Sequence, residues 1–324
     1  MQQCPLGRTG LHIAPIVFGG NVFGWTADER RSFELLDAFV DAGFNAIDTA
    51  DVYSRWVPGH QGGESETLIG RWLRANPARR GQVLLFTKVG MDMGDEHKGL
   101  GRLWIERAVE DSLRRLRTDV IDLYQAHRPD PETSYEETLD TFARLVKAGK
   151  IRAFGCSNFD ARQLAEAQDS ARINALPAYQ TLQPEYNLVD RASYDGPLRD
   201  LAIKSDLGVI PYYSLASGFL TGKYRTEADL GQSPRGGGVR KHLNPRGLRI
   251  LGALDQVSQR HATQPAVAAL AWLIAREGVT APIASATSVE QLKNFSAAAE
   301  LVLSENDLAV LDQASAQGSG SEGA

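Results

Sequence analysis

Eight short apolar runs rich in β-branched residues alternate with longer amphipathic stretches along the chain, and that alternation limits its fold more than any other feature. The strand-like runs lie near 16–19, 46–49, 83–88, 121–126, 151–156, 179–182, 208–212 and 281–285. Helix-like stretches follow at 28–42, 64–75, 103–117, 134–148, 160–172, 193–206, 246–276 with a break near Pro265, and 288–299. In Ser32-Phe-Glu-Leu-Leu-Asp-Ala-Phe-Val the apolar residues recur at the 3.6-residue spacing of a helix lying on a sheet. Gly43 and Gly149 stand where helices should stop. Eight β-then-α units in succession predict a single α/β domain of the (β/α)8 TIM-barrel type, with an open doubly wound sheet as the alternative. No Gly-x-Gly-x-x-Gly opens a helix after the first strand, which weighs against a Rossmann domain.

Three segments fall outside the repeat. Pro5-Leu-Gly-Arg-Thr-Gly-Leu-His-Ile, with Gly7 and Gly10 about a turn, reads as an N-terminal β-hairpin before the barrel. Residues 218–245 form a long Gly-, Pro- and Arg-rich loop after the seventh strand, of a kind that is usually functional or mobile. Residues 317–324, Gln-Gly-Ser-Gly-Ser-Glu-Gly-Ala, have nothing to bury and are expected to be a disordered tail, leaving 1–316 as the domain.

Composition mainly excludes. The net charge of −5 comes with both signs interspersed and no basic stripe, which argues against a nucleic-acid partner or a polybasic membrane anchor. No apolar run approaches spanning length, and the opening Met-Gln-Gln-Cys-Pro-Leu-Gly-Arg lacks the pattern of a signal peptide. Cys4 and Cys156 have no metal-ligand spacing, so no metal is expected and a reducing cytoplasm is the default. Cys156 reads as a small core residue.

Where three successive runs give way to polar residues stand Asp48 and Tyr53, then Lys88, then His127. In a parallel barrel the carboxyl ends of strands face the active site. A phenol, an ammonium, a carboxylate and an imidazole placed there can hand a proton to a carbonyl oxygen. Tyrosine ordinarily titrates near 10, too high for fast proton exchange at neutral pH. Lys88 is expected to pull Tyr53 down by stabilising phenolate, and Asp48 to keep Lys88 charged. His127 would then orient the carbonyl. Singly, each has a plainer reading: a turn cap, a half-buried aromatic, a snorkelling lysine, a structural histidine. Their joint order at successive strand ends favours the chemical one.

The chain resembles the aldo-keto reductases from beginning to end, the tail excepted. Beyond those four residues the resemblance is carried by Gly62-Gly-Glu-Ser-Glu-Thr-Leu-Ile-Gly, Ser112-Leu-Arg-Arg-Leu-Arg-Thr-Asp, Gly155-Cys-Ser-Asn-Phe, Gln183-Pro-Glu-Tyr-Asn-Leu and Leu220-Thr-Gly-Lys-Tyr. Its length and long loop look like the bacterial branch near the potassium-channel β-subunits. The resemblance implies an oxidoreductase that reduces an aldehyde or ketone, and since side chains carry no hydride, a nicotinamide cofactor. It further implies that Ser157, Asn158 and Gln183 hold the carboxamide and that Tyr212 stacks on the ring. Ser214, Leu215, Ser217 and Gly218 would follow the pyrophosphate, with Lys223 and Arg235 closing over it. Gly20, Asn21, Asp48, Tyr213 and Ser285 complete the expected cofactor contacts.

The last cofactor segment departs from the pattern. Thr287 and Gln291 match in kind, but Ser288 stands where many relatives place an Arg, and Asn294-Phe295 replaces Glu-Asn. A bidentate Arg is the strong holder of a 2′-phosphate. Hydroxyls and a helix N-terminus near 288 are the remaining means, so NADPH is expected, with NADH as the alternative. Trp25, Tyr53, Trp56 and His127 are the expected substrate contacts, Tyr213 a further wall, and Arg55, Arg128 and loop 89–102 the rim. Such walls suit small carbonyl or alcohol substrates of several kinds. The oligomeric state is left open.

Two other classes compete. The channel-associated relatives bind NADPH as sensing subunits, but they carry Asn where His127 stands. A metal-dependent barrel hydrolase or an isomerase would need several histidines at strand ends, and only His127 of six is so placed. An NAD(P)-linked sugar or alcohol dehydrogenase would run the same site backward.

Overall fold

The computed structural model describes residues 1–94 and 97–316. The expected tail at 317–324 lies outside the described residues, as do two positions of loop 89–102. The chain opens with the predicted hairpin. β1 (Cys4–Pro5) pairs antiparallel with β2 (His12–Ile13), and Gly10 makes the turn at φ 74°, a left-handed conformation that suits glycine.

Eight parallel strands follow: β3 (Val17–Gly19), β4 (Ala46–Asp48), β5 (Leu84–Val89), β6 (Ile121–Ala126), β7 (Ile151–Ser157), β8 (Thr181–Gln183), β9 (Gly208–Val209) and β10 (Ile283–Ala284). Their order in the sheet is β10-β3-β4-β5-β6-β7-β8-β9. The two outer strands are tied as well, because Ile283 N–H donates to Pro211 O at 2.8 Å and Ala281 N–H to Val209 O at 3.3 Å. The curled parallel sheet is consistent with a (β/α)8 barrel. Register places Gly19 beside Asp48, Lys88 beside Gln125 and Ser157 beside Gln183, so the polar strand ends fall at one rim.

The helices are α1 (Glu29–Asp41), α2 (Glu64–Ala75), α3 (Arg102–Leu116), α4 (Tyr135–Lys147), α5 (Ala161–Ile173), α6 (Pro197–Lys204), α7 (Gly236–Val239), α8 (Pro245–Arg260), α9 (Pro265–Ile274), α10 (Val289–Glu300) and α11 (Glu305–Ser315). Short polar caps start many of them. Asp28, Ser134, Asp160, Asn244, Ser288 and Ser304 each accept a first-turn N–H.

Four expectations change. The helix expected over 193–206 is confined to α6, because Gly196 and Pro197 set its start. The break near Pro265 is a full separation, with Pro265 at the first turn of α9. The 218–245 loop is a series of single helical turns at Ala216–Thr221, Glu227–Gln232 and Arg240–His242 around α7. Finally, α11 lies beyond the eighth unit and was not expected; Ser304 and Asp307 form its capping box.

The core has two parts. Inside the curled sheet, Val17, Ala46, Phe86, Leu123, Ala153, Ile210 and Ile283 pack with Leu6, Leu11 and Ile13 of the hairpin segment, which therefore covers the sheet's amino end. Outside it, a larger cluster fills the space between strands and helices and includes Cys156, which is fully buried. With that end covered, the open rim is where the polar strand ends gather.

Candidate active site

Asp48 ends β4, Lys88 is next to last in β5, and His127 follows β6 directly. Backbone pairing holds the imidazole in place, since His127 N–H donates to Val89 O at 2.8 Å. Lys88 is wholly buried and its ammonium is fully used: it donates to Asp48 Oδ2 at 2.6 Å, to Thr49 O at 2.7 Å and to Tyr53 Oη at 3.1 Å. Asp48 Oδ1 in turn accepts from Gln183 Nε2 at 3.0 Å. The phenol of Tyr53 thus accepts one bond and keeps its own proton to give. The Tyr53 and His127 ring centres are 6.1 Å apart.

The electrostatics differ from expectation at Tyr53. Burial first, then the Asp48 carboxylate and Tyr213, push its phenol well above the ordinary tyrosine range. The expected depression by Lys88 is therefore outweighed, because Asp48 cancels much of the ammonium's field and water is excluded. Burial also raises Asp48 and lowers Lys88, while their attraction for each other opposes both shifts. Burial, with Lys88 and Arg128 adding to it, holds His127 well below its usual value, so its imidazole is neutral. Its Nδ1 has no hydrogen-bond partner among the described residues. The rim therefore presents a neutral phenol and a neutral imidazole over a buried ion pair.

Above them opens a cavity of about 1220 Å³, larger than the ~300–1,000 Å³ usual for drug-sized ligands. Of the expected cofactor residues, Asn21, Asp48, Ser157, Asn158, Gln183, Tyr212, Tyr213, Ser214, Leu215, Ser217, Gly218, Lys223, Arg235, Ser285, Thr287 and Gln291 line it. So do Trp25, Tyr53, Trp56 and His127, together with Ser288, Asn294 and Phe295. Gly20 does not. It begins a helical turn behind the rim, where its carbonyl accepts from Ser65 Oγ at 2.8 Å, and Gly19 takes its place on the wall. Lys88 lies beneath the floor and reaches the cavity through Asp48 and Tyr53. Arg55 is drawn aside to Asp92 O at 3.0 Å, and neither it nor Arg128 lines the cavity.

The trio expected to hold a carboxamide, Ser157, Asn158 and Gln183, is already knitted together. Ser157 Oγ donates to Gln183 O at 2.8 Å, Asn158 Nδ2 to His127 O at 2.9 Å and to Ser157 Oγ at 3.1 Å, and Tyr212 Oη to Asn158 Oδ1 at 2.7 Å. Asn158 holds a left-handed φ of 62° to do this. The far wall is polar too: Ser285 Oγ reaches Gly19 O and Asn21 Oδ1, each at 2.7 Å, and Thr287 N–H donates to Gln291 Oε1 at 2.8 Å. Arg235 lies over the Trp25 ring at 5.1 Å, and its Nη2 has no hydrogen-bond partner among the described residues. An unmatched guanidinium in a cavity of this size fits a ligand with anionic oxygens.

Sequence reasoning missed Val22, Thr26, Gln264, Leu270 and Glu290, which also line the cavity. Val22, Thr26, Gln264 and Glu290 come from turns and helix starts that no local pattern marks, and Leu270 from the middle of α9. It missed the Thr49 carbonyl under Lys88 as well, since a main-chain acceptor leaves no trace in residue type. Among the described residues, no group of three or more His, Cys, Asp or Glu could hold a metal, and no helix is long and apolar enough to cross a membrane.

A parallel α/β fold with proton-donating groups and a large cavity of mixed polar and apolar walls at the carboxyl ends of its strands is the arrangement of a barrel enzyme. Comparison with known proteins makes this specific. The pattern of the Aldo/keto reductase family matches residues 15–316. "Uncharacterized oxidoreductase YrpG" of Bacillus subtilis is 34% identical over 96% of this chain and 95% of its own. "Aldo-keto reductase YhdN" of the same organism is 33% identical over 91% and 88%, and "Protein tas" of Escherichia coli 31% over 96% and 97%. The chain belongs to the aldo/keto reductase family and is an oxidoreductase by that membership.

Proposed function

We propose that the protein reduces an aldehyde or ketone to an alcohol, with Tyr53 as the general acid and NADPH as the preferred cofactor. The observation that carries this is the single ammonium of Lys88 joining Asp48 to the Tyr53 hydroxyl beneath a cavity that His127 also faces. The nicotinamide nucleotide supplies the hydride when bound. His127, neutral, donates a hydrogen bond to the substrate oxygen and sets its direction. Tyr53, kept protonated by burial, gives its proton to that oxygen as negative charge develops there. Lys88 already donates to the phenol oxygen, so the charge left on Tyr53 meets a donor at once. Asp48 and Thr49 O hold that donor still. In the reverse direction Tyr53 accepts an alcohol's proton.

The residues suit the cofactor. Tyr212 offers a ring, Gln183 keeps its side-chain carbonyl available, and Lys223 and Arg235 supply cations on the wall expected to face the pyrophosphate. The end near Ser288 lacks the Arg of many relatives, so the preference for NADPH rests on hydroxyls and the start of α10. The unit runs from 1 to 316, within the branch near the channel β-subunits by its long connection. Two unpaired cysteines, Cys4 and Cys156, suit the cytoplasm.

The test pairs wild type with Tyr53→Phe, using fluorescence quenching for NADPH and NADH and turnover of a general aldehyde. NADPH should bind at least about tenfold more tightly than NADH, by at least about 1.4 kcal/mol. The variant should bind nucleotide as wild type does and lose roughly 100- to 10,000-fold in turnover. If neither nucleotide binds, the proposal fails. If NADPH binds and His127-containing wild type is as inert as the variant on many carbonyls, a sensing role replaces it.

A further inference from the structure

Behind the ion pair, on the side away from the cavity, lies a second buried charged layer that the chemistry above does not use. Glu66 on α2 is fully buried, accepting from Thr87 Oγ1 and from Arg115 Nε of α3, both at 2.6 Å. Asp51, in the turn that carries Tyr53, is 1% exposed, and its N–H donates to Lys88 O at 3.3 Å. Among the described residues no side chain donates to either of its carboxyl oxygens, and the donor nearest them is the backbone N–H of Val52. The hydroxyl of Tyr124 on β6, also within this layer, has no hydrogen-bond partner among the described residues. An ionised carboxylate so placed would lack water and side-chain donors, with only the Val52 N–H near it, which is a costly state for such a group.

The charges around Asp51 can be counted. Glu66 repels a negative charge there, Arg115 and Lys88 attract one, and Tyr124, with Asp111 beyond it, adds no cation. Glu66 and Arg115 are already engaged with each other, as Lys88 is with Asp48. With Asp51 neutral the layer balances. With Asp51 ionised it carries one excess negative charge beside Lys88, and that charge opposes phenolate formation on Tyr53.

We propose that Asp51 is a positioning residue of the reaction: a buried, proton-bearing carboxyl whose neutrality leaves Lys88 free to stabilise the Tyr53 phenolate. The inference rests on the general-acid role of Tyr53 given above. Asp51 touches neither substrate nor cofactor and acts through Lys88. Burial and then Glu66 push its carboxyl up to about 8, so the neutral form prevails at neutral pH and is lost just above it. Loss of that proton slows the transfer from Tyr53, and turnover falls with it.

The test compares wild type with Asp51→Asn, which keeps the shape and cannot ionise. The wild-type turnover profile should fall through an inflection near pH 8, and the variant should stay level there while matching wild type within about threefold at pH 6.5. Thermal unfolding gives a readout that needs no turnover. A carboxyl whose pKa is higher folded than unfolded loses its stabilising effect as pH rises. Wild type should therefore fall below the variant by on the order of 5 °C between pH 5 and 9. Infrared spectra of wild type alone should show a protonated-carboxyl band disappearing over pH 7–9. A variant that keeps the turnover inflection, or a melting difference independent of pH, overturns the proposal. Inert protein with the expected melting and infrared changes sinks the reductase reading instead and leaves the buried proton in place.

Discussion

Replacing Lys88 by methionine would remove the ammonium while leaving a side chain of similar length to fill its space. Asp48 would then lose its 2.6 Å partner and keep Gln183, at 3.0 Å, and the nearby Tyr53 hydroxyl, inside a site where it is 1% exposed. Breaking a buried ion pair from one side leaves a charge without compensation and costs about 3–5 kcal/mol. For a chain of 324 residues the unfolding entropy is about 0.7 kcal/mol/K, which converts the loss to a melting point lower by roughly 4–7 °C. Adding Asp48→Asn removes the stranded charge and should restore more than half of that difference. The sign with pH follows. A lone buried Asp48 has its pKa raised by folding, so the single variant should approach wild type as pH falls from 8 to 5 and diverge as it rises. Differential scanning calorimetry of the two single variants and the double variant at three pH values is the assay. If the double variant is less stable than Lys88→Met, or the deficit ignores pH, the stability of this site does not come from the ion pair.

Two further outcomes follow from contacts described above or close to them. A Cβ on Gly70 of α2 would come within 2.0 Å of the Arg115 carbonyl at the end of α3, and backbone cannot rotate away. Gly70→Ala should therefore cost about 1–3 kcal/mol in chemical denaturation, and an unchanged midpoint would show that the two helices part easily. Arg235→Met should weaken NADPH binding by roughly 10- to 150-fold, the value of about 1.5–3 kcal/mol for charged hydrogen bonds. Equal affinity by fluorescence titration would place Arg235 outside the nucleotide site.

Much of the fold could be read from the chain because period and punctuation agree with it. All eight expected strand runs overlap an observed strand, and Gly10 turns the hairpin as expected. The failures were of another kind. Nothing local distinguishes a structureless loop from the successive single turns at 216–242, because those turns are held by packing and not by periodicity. The helix α11 went unread since the count of eight units was already complete. At the site, Asp48, Tyr53, Lys88 and His127 were legible by residue type and strand-end position. Gly20 was misplaced by one residue, and a one-residue error at a strand end moves a group from the wall to the space behind it.

Residue types and their spacing along the chain were enough to require a parallel α/β architecture and to put a phenol, an ammonium, a carboxylate and an imidazole at successive strand ends. They could not say what state those groups are in. That depends on which atoms exclude water and which charges stand within a few ångströms, and both are set by residues far apart in the chain. Lys88 meets Asp48 across 40 positions and Gln183 meets Asp48 across 135. The high pKa of the Tyr53 phenol, the neutral His127 and an Asp51 without a side-chain partner all follow from that three-dimensional arrangement. The sum of nearby charges and the loss of water exist only once the chain has folded around them.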